Sequence, residues 1–181
     1  GIGGSITIDG NATVQAKALE GYSGSGAAIG SGRGGYVNSI TISGGTVIAT
    51  GANMGSAIGN GDSNSGGDGG TISITGGDVT ATATGSWGAG IGGLCKSITI
   101  GGNAVVHATG GNRGAGIGGY YQKAVGNITV EGNANVTATG GASGAGIGTG
   151  SEAEGEAVIT ITGGTVNASM SASNGAAAIG S

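Results

Sequence analysis

Proline and phenylalanine are absent from this 181-residue sequence, and cysteine, histidine and tryptophan occur once each. A single cysteine excludes an internal disulfide. Charge is also scarce. Nine acidic and five basic residues leave a net charge of −4, and Lys17, Arg33, Lys96, Arg113 and Lys123 are scattered along the chain. Nucleic-acid binding needs clustered Lys and Arg and is therefore not expected. No apolar run approaches the length of a membrane span and no signal segment is visible, so membrane insertion is not expected either. The chain opens on Gly1-Ile2-Gly3-Gly4 and stops at Ala178-Ile179-Gly180-Ser181. These read as the tail of one repeat unit and the end of another, as in an excerpt from a longer protein.

What the sequence does have is glycine, at 49 positions. The glycines follow no three-residue period, which excludes collagen. The apolar positions are too regular for a disordered chain. The phrase Ile-Thr-Ile or a near copy starts at Ile6, Ile40, Ile72, Ile98, Ile128 and Ile159. Each copy continues through a Gly-rich turn into a Val-x-Ala run and then a small-x-Ile-Gly stretch. A unit of 26 to 34 residues repeated along the whole chain describes a stacked array.

Within a unit, Ile128-Thr129-Val130 and Asn135 to Thr139 alternate apolar and polar residues, as half-buried strands do. Ala145-Gly146-Ile147 reads as a third short strand. Down the stack the inward columns would be Ile6/40/72/98/128/159, Ile8/42/74/100 with Val130 and Ile161, Val14/47/79/106/136/166, Ala16/49/81/108/138/168 and Ile29/58/91/117/147/179. No stretch has a 3.6-residue apolar period. The expected fold is an all-β, single-stranded parallel β-helix (β-solenoid), right-handed, forming one domain over residues 1–181. About six coils of three short strands would start near 5, 39, 71, 97, 127 and 158. At 4.8 Å per coil the rod would be about 29 Å long.

Length variation concentrates between each Ile-Gly and the next Ile-Thr-Ile, in residues 31–39, 60–71, 93–97, 119–127 and 149–158. Insertions in a solenoid map to one face, and such a face often binds something. It carries Tyr36, Tyr120, Tyr121, Arg33, Lys123, Cys95 and most of the acids. Trp87 and Tyr22 fall in the corner before the small-x-Ile stretch. Tyr36, Trp87, Tyr120 and Tyr121 are the candidate ligand-binding residues, as stacking platforms for sugar rings; the alternative is that each shields the backbone beneath it. Tyr36 and Tyr120, three coils and about 14 Å apart, would not grip one ring. Asp62, Asn64 and Asp68 stand at the first, third and seventh places of a Gly-rich loop and are candidate calcium ligands. The twelfth place is Ser73, where a calcium loop has a bidentate Glu, so a solvated loop is the competing reading. Glu152, Glu154 and Glu156 form a second acidic run. No other cofactor is implied. His107 reads as a surface residue. Cys95 has Lys96 beside it, an arrangement that lowers a thiol pKa where the two side chains meet, but with no His partner it reads as an incidental thiol.

Catalysis on a polysaccharide would need paired acids on adjacent coils. Asp9 and Glu131 share a column but lie four coils apart, about 19 Å, and Asp78 is on another wall, so an enzyme is not expected. Outward columns are rich in Thr: Thr7/41/99/129/160 with Ser73, and Thr50/82/109/139 with Lys17 and Ser169. Solenoid antifreeze proteins resemble this, but Gln15, Ile48, His107 and Asn167 interrupt the partner column.

The phrase Gly-Gly-x-Val-x-Ala-Thr-Gly followed by Gly-Ala-Gly-Ile-Gly, best seen in residues 44–59, 76–92, 101–118 and 132–148, resembles repeats of large adhesin-like surface proteins of Gram-positive, gut-type bacteria. The resemblance implies an extracellular protein, secreted or attached to the cell wall. Its partner would be a host or bacterial surface glycan or protein. It transfers no site residue, because the repeated residues are scaffold. The expected function is thus a non-catalytic structural or adhesin-like module, with ice binding as the alternative and a polysaccharide-active enzyme behind both. Strand edges left open at either end would favour end-to-end self-association.

Overall fold

The computed structural model describes residues 3–19, 25–62, 69–172 and 174–181. Sixteen strands and no helix are present among them. All strand pairs are parallel, in one ten-stranded and one six-stranded sheet. The molecule is a β-solenoid whose successive rungs pair residue for residue. Ile40 faces Ile72, Ile72 faces Ile98, Ile98 faces Ile128 and Ile128 faces Ile159. The Val-x-Ala run stacks likewise, with Val79 on Val106, Val106 on Val136 and Val136 on Val166.

These columns are the core. Ile40, Ile98, Ile128, Ile42, Ile74, Ile100, Val130, Val47, Val79, Val106 and Val136 have no exposed surface. Alternation accounts for this, since residues at i and i+2 of a strand share a face. Between them Thr41, Thr99 and Thr129 point outward and stay partly exposed. In the first and last rungs Ile6, Val14, Ile159 and Val166 are only partly buried, because each has a neighbouring rung on one side only.

The corner between the first two runs comes in two lengths. From Ile42 to Val47, Ile74 to Val79 and Ile161 to Val166 the turn is Gly-Gly, with positive φ at Gly45, Gly77 and Gly164. From Ile8 to Val14, Ile100 to Val106 and Val130 to Val136 it has one residue more and reads Gly-Asn-Ala, with positive φ at Gly10, Gly102 and Gly132. The extra residue turns Ala104 and Ala134 fully inward. Two short corners are adjacent only in the second and third rungs. There Ser39–Gly51 pairs with Thr71–Ala83 as two 13-residue strands, with a register shift at the corner around Ser43. Three separate short strands per coil is therefore not the rule in these two rungs.

The third wall also differs from expectation. Its strand is two residues long in every rung: Ile29–Gly30, Ile58–Gly59, Ile91–Gly92, Ile117–Gly118, Ile147–Gly148 and Ile179–Gly180. Each Ile-Gly crowns a tight arch. The amide of Ala115 donates to the carbonyl of Gly119, and Ala145 donates to Thr149 in the same way. The glycine of each pair has φ between +128° and +146°, a region open to glycine because it lacks Cβ. The arch folds the two flanking corners back beside each other. The variable loops stack too, through a parallel bridge between Lys123 and Glu154.

Candidate functional site: an aromatic cluster on the loop face

The arch in the fourth rung carries loop 119–123 back against the corner of the third. The amide of Tyr121 donates to the carbonyl of Trp87 at 3.1 Å, and the amide of Arg113 donates to the carbonyl of Ser86 at 2.7 Å. On the other side Gln122 donates to Ser151, and Ser151 to Arg113. Three rungs thus place their side chains at one spot. The Trp87 and Tyr121 rings lie 5.1 Å apart, tilted by 37°, within the range of attractive aromatic pairs. The Arg113 guanidinium sits 4.9 Å from the Tyr121 ring centre, a cation–π distance. The Tyr121 hydroxyl donates to Glu152 Oε2 at 2.9 Å, and Gln122 Nε2 donates to that hydroxyl at 3.2 Å. Arg113 and Glu152 approach to 3.7 Å while both stay about half exposed. Exposure makes this ion pair weak, so its role is to orient the rings.

The hydrogen bond to Glu152 holds the Tyr121 phenol above its ordinary pKa; burial and the Glu152 charge add to this, and Arg113 opposes it. Tyr121 is therefore a protonated donor. Trp87 and Tyr121 are partly buried, to the same class as Tyr36, and keep some surface open to solvent. The cluster offers a tilted aromatic surface bordered by a carboxylate, an amide and a guanidinium.

The expected site residues divide. Trp87 and Tyr121 come together. Tyr120 does not join them: it is only 3% exposed and faces the interior. A side chain at Gly93 would meet Tyr120 Cδ1 at 3.3 Å, so the bare glycine makes room for the ring. Tyr120 presents no free face, which corrects its assignment as a platform. Tyr36 is half-buried in loop 31–39, with no ring contact to the cluster. Tyr22 lies outside the described residues. Arg113, Gln122 and Glu152 were not among the expected site residues. Arg113 lies in the second corner of its own coil, as Trp87 does in its own, which was the available signal.

Of the candidate calcium ligands, only Asp62 lies among the described residues. Asp62 is buried and lies 3.5 Å from Arg33, which is itself largely exposed. Asn64 and Asp68 lie outside the described residues. Among the described residues no group of three His, Cys, Asp or Glu is placed to hold a metal. Nearby, buried Asn60 links three coils: Val37 donates to its Oδ1 at 3.2 Å, and its Nδ2 donates to the Leu94 carbonyl.

Cys95 is buried while Lys96 is exposed. Burial of the thiol, not the neighbouring lysine, governs its ionisation. Burial pushes its pKa up to about 12. The folded protein holds this proton longer than the unfolded chain does. Stability is therefore expected to fall as pH rises through the window from 9.0 to about 12. At neutral pH, iodoacetamide should alkylate Cys95 at least about a hundredfold more slowly in the native protein than in urea. Equal rates would mean that the thiol is open to solvent.

The chain belongs to the β-helix repeat family. The family's model matches residues 6–33, 40–62, 72–93, 128–151 and 159–181, more than half of the sequence. No curated protein and no solved structure matches the chain. The stretch outside the match between 93 and 128 holds the fourth rung, whose strands nevertheless pair in register on both sides. Arg113, Tyr121 and Gln122 all lie in that stretch. No helix among the described residues is long and apolar enough to cross a membrane.

Proposed function

We propose that the chain is a non-catalytic repeat module of an adhesin-like bacterial surface protein, secreted or attached to the cell wall, and that its loop face binds glycan. The observation that carries this is the Trp87–Tyr121 ring pair, partly exposed and held by contacts from three rungs. Neither ring belongs to the apolar core of the stack. Sugar rings stack on aromatic faces through their apolar C–H surface, and Glu152 and Gln122 stand ready for hydroxyls. On a glycan array the protein should give hits that fall at least about tenfold with Trp87→Ala or Tyr121→Ala and persist with Tyr36→Ala. Loss of about 1.4 kcal/mol corresponds to that factor. Equal binding by all three variants would sink the assignment, provided that their melting temperatures match the parent.

A second reading is favoured by one specific feature. On the first wall Ser5/Thr7, Ser39/Thr41, Thr71/Ser73 and Ser97/Thr99 form two hydroxyl columns in register, and Ser39 donates to Ser5 at 2.8 Å. Such a flat array suits ice, and thermal hysteresis would reveal it. The next rungs weaken it with Asn127 and Val158.

Self-association is a further part of the proposal. Ile161 and Ile179 in the last rung are 43% and 46% exposed. The 1–181 polypeptide should therefore associate end to end at high concentration, and Ile161→Lys with Ile179→Lys should keep it monomeric by light scattering. A parent that is monomeric at all concentrations would rule this out.

A further inference from the structure

Among the described residues three non-glycine positions adopt left-handed backbone: Asn53, Gln122 and Glu152. Two of them, Gln122 at φ +60° and Glu152 at φ +55°, are the two whose side chains meet at the Tyr121 hydroxyl. Backbone strain of this kind concentrates at ligand sites. Here it delivers an amide and a carboxylate to the rim of the ring pair. The same spot already holds a cation. The Arg113 guanidinium lies over the Tyr121 ring and 3.7 Å from Glu152 Oε1. At that distance the charges attract without a hydrogen bond. The arginine side chain is flexible and 41% exposed, so a better-placed cation can displace it. Aromatic faces beside a carboxylate suit an organic ammonium group. Exposed Glu154 and Glu156 follow Glu152, and the chain has a net charge of −4, so the field around this loop draws cations. Glu152 also borders an open hollow of about 370 Å³, with Ser143, Thr149, Ser151 and Asn174. Among the described residues that line it, Glu152 carries the one charge.

We infer that the glycan held on Trp87 and Tyr121 contains an amino sugar with a free amine, whose ammonium group takes the place of the Arg113 guanidinium beside Glu152. The sugar's hydroxyls then meet the hydroxyls and amide of the hollow that Glu152 borders. The inference rests on the glycan-binding reading above and adds the charge class and the residue that reads it. Arg113 acts as a stand-in for the ligand: its position shows that the spot accepts a cation. A basic peptide would supply the cation but not the hydroxyls that the lining suits.

Glucosamine oligosaccharides and their N-acetylated counterparts of equal length differ only at the nitrogen, so titration calorimetry with both series isolates the charge. The free-amine series should bind at least about tenfold more tightly, and the preference should shrink in high salt. Glu152→Gln should remove it. Arg113→Met keeps the apolar stem and vacates the cation position, so it should tighten the free-amine series at least about threefold. Glu152→Gly relaxes the strained backbone and should melt no lower than the parent while the preference is lost. A lower melting temperature with the preference retained would make Glu152 a scaffold residue and overturn its role. Equal affinity for the two series, both lost with Trp87→Ala, would overturn the amine and leave the glycan-binding reading standing. Weaker binding by Arg113→Met would mean that the guanidinium serves the ligand and would overturn the displacement. Tighter binding of hexalysine than of the glucosamine hexamer would replace the sugar by a basic peptide. No binding by either sugar series would overturn the inference, and the glycan array then decides the broader reading by itself.

Discussion

Ile98→Asp is expected to lower the melting temperature by at least about 10 °C. Ile98 has no exposed surface and stacks in register between Ile72 and Ile128. Its Cδ1 also lies 3.0 Å from where a side chain on Gly92 would begin, so it packs against the arch of the third wall. Removing it forfeits about 2–3 kcal/mol of apolar burial. Installing a carboxylate in an apolar column with no partner costs several kcal/mol more, whether it ionises or is held protonated. A total of about 5 kcal/mol corresponds to roughly 10–20 °C in a chain of this size. Thr99→Asp is the control. Thr99 points outward, its ladder neighbours are Ser73 and Thr129, and a surface change of this kind lies within about 0.5 kcal/mol. Thermal melts followed by circular dichroism separate the two. Coincident melting curves would mean that inward and outward faces have been exchanged.

That pair of variants could be chosen from sequence alone, and the reason is physical. A solenoid repeats its contacts, so like falls on like, and five copies of Ile-x-Ile with one of Ile-x-Val name both the period and the buried face. Alternation fixes the rest of each strand. The corners were less legible. Gly-Gly and Gly-Asn-Ala both read as turns, but only the extra residue in the latter carries Ala104 and Ala134 inward, and only two adjacent short corners let a strand run on from Ser39 to Gly51. The third wall was read as a strand like the others. Its two-residue strand at the crest of an arch depends on an amide-to-carbonyl bond across four residues, which no alternation pattern announces.

The site divides along the same line. Trp87 and Tyr121 were legible as candidates, but their meeting was not. They belong to a corner and a loop that are separate in the repeat, and the arch is what folds these together. Tyr120 and Tyr121 are consecutive, so one side chain faces in while the other faces out. Composition cannot say which. The choice is made by the space over Gly93, in the preceding rung. Cys95 makes the same point in reverse. It read as an incidental thiol despite Lys96 beside it, and burial governs its chemistry.

The arch itself yields the other large expected effect, Gly118→Ala. Gly118 has φ +137°, and a Cβ there would lie inside the carbonyl group of Gly148 in the next rung. Two penalties add. An L side chain at this φ costs about 1–3 kcal/mol in backbone strain, and a methyl group forced against a neighbouring backbone costs about 1–3 kcal/mol in displacement. The displaced backbone cannot yield cheaply, because the Gly119 amide donates to the Gly148 carbonyl at 2.9 Å and the same ladder continues to Gly180. A loss of about 3–5 kcal/mol should lower the melting temperature by about 10 °C, with amide exchange accelerated first at Ile117 and Ile147. Gly32→Ala is the contrasting case: nothing lies within 4 Å of its added Cβ and its φ is not positive, so it should melt within a degree or two of the parent. If Gly118→Ala melted with Gly32→Ala, the rungs would have to stand further apart at the third wall than a hydrogen-bonded ladder permits, and the arch would not be what closes each coil.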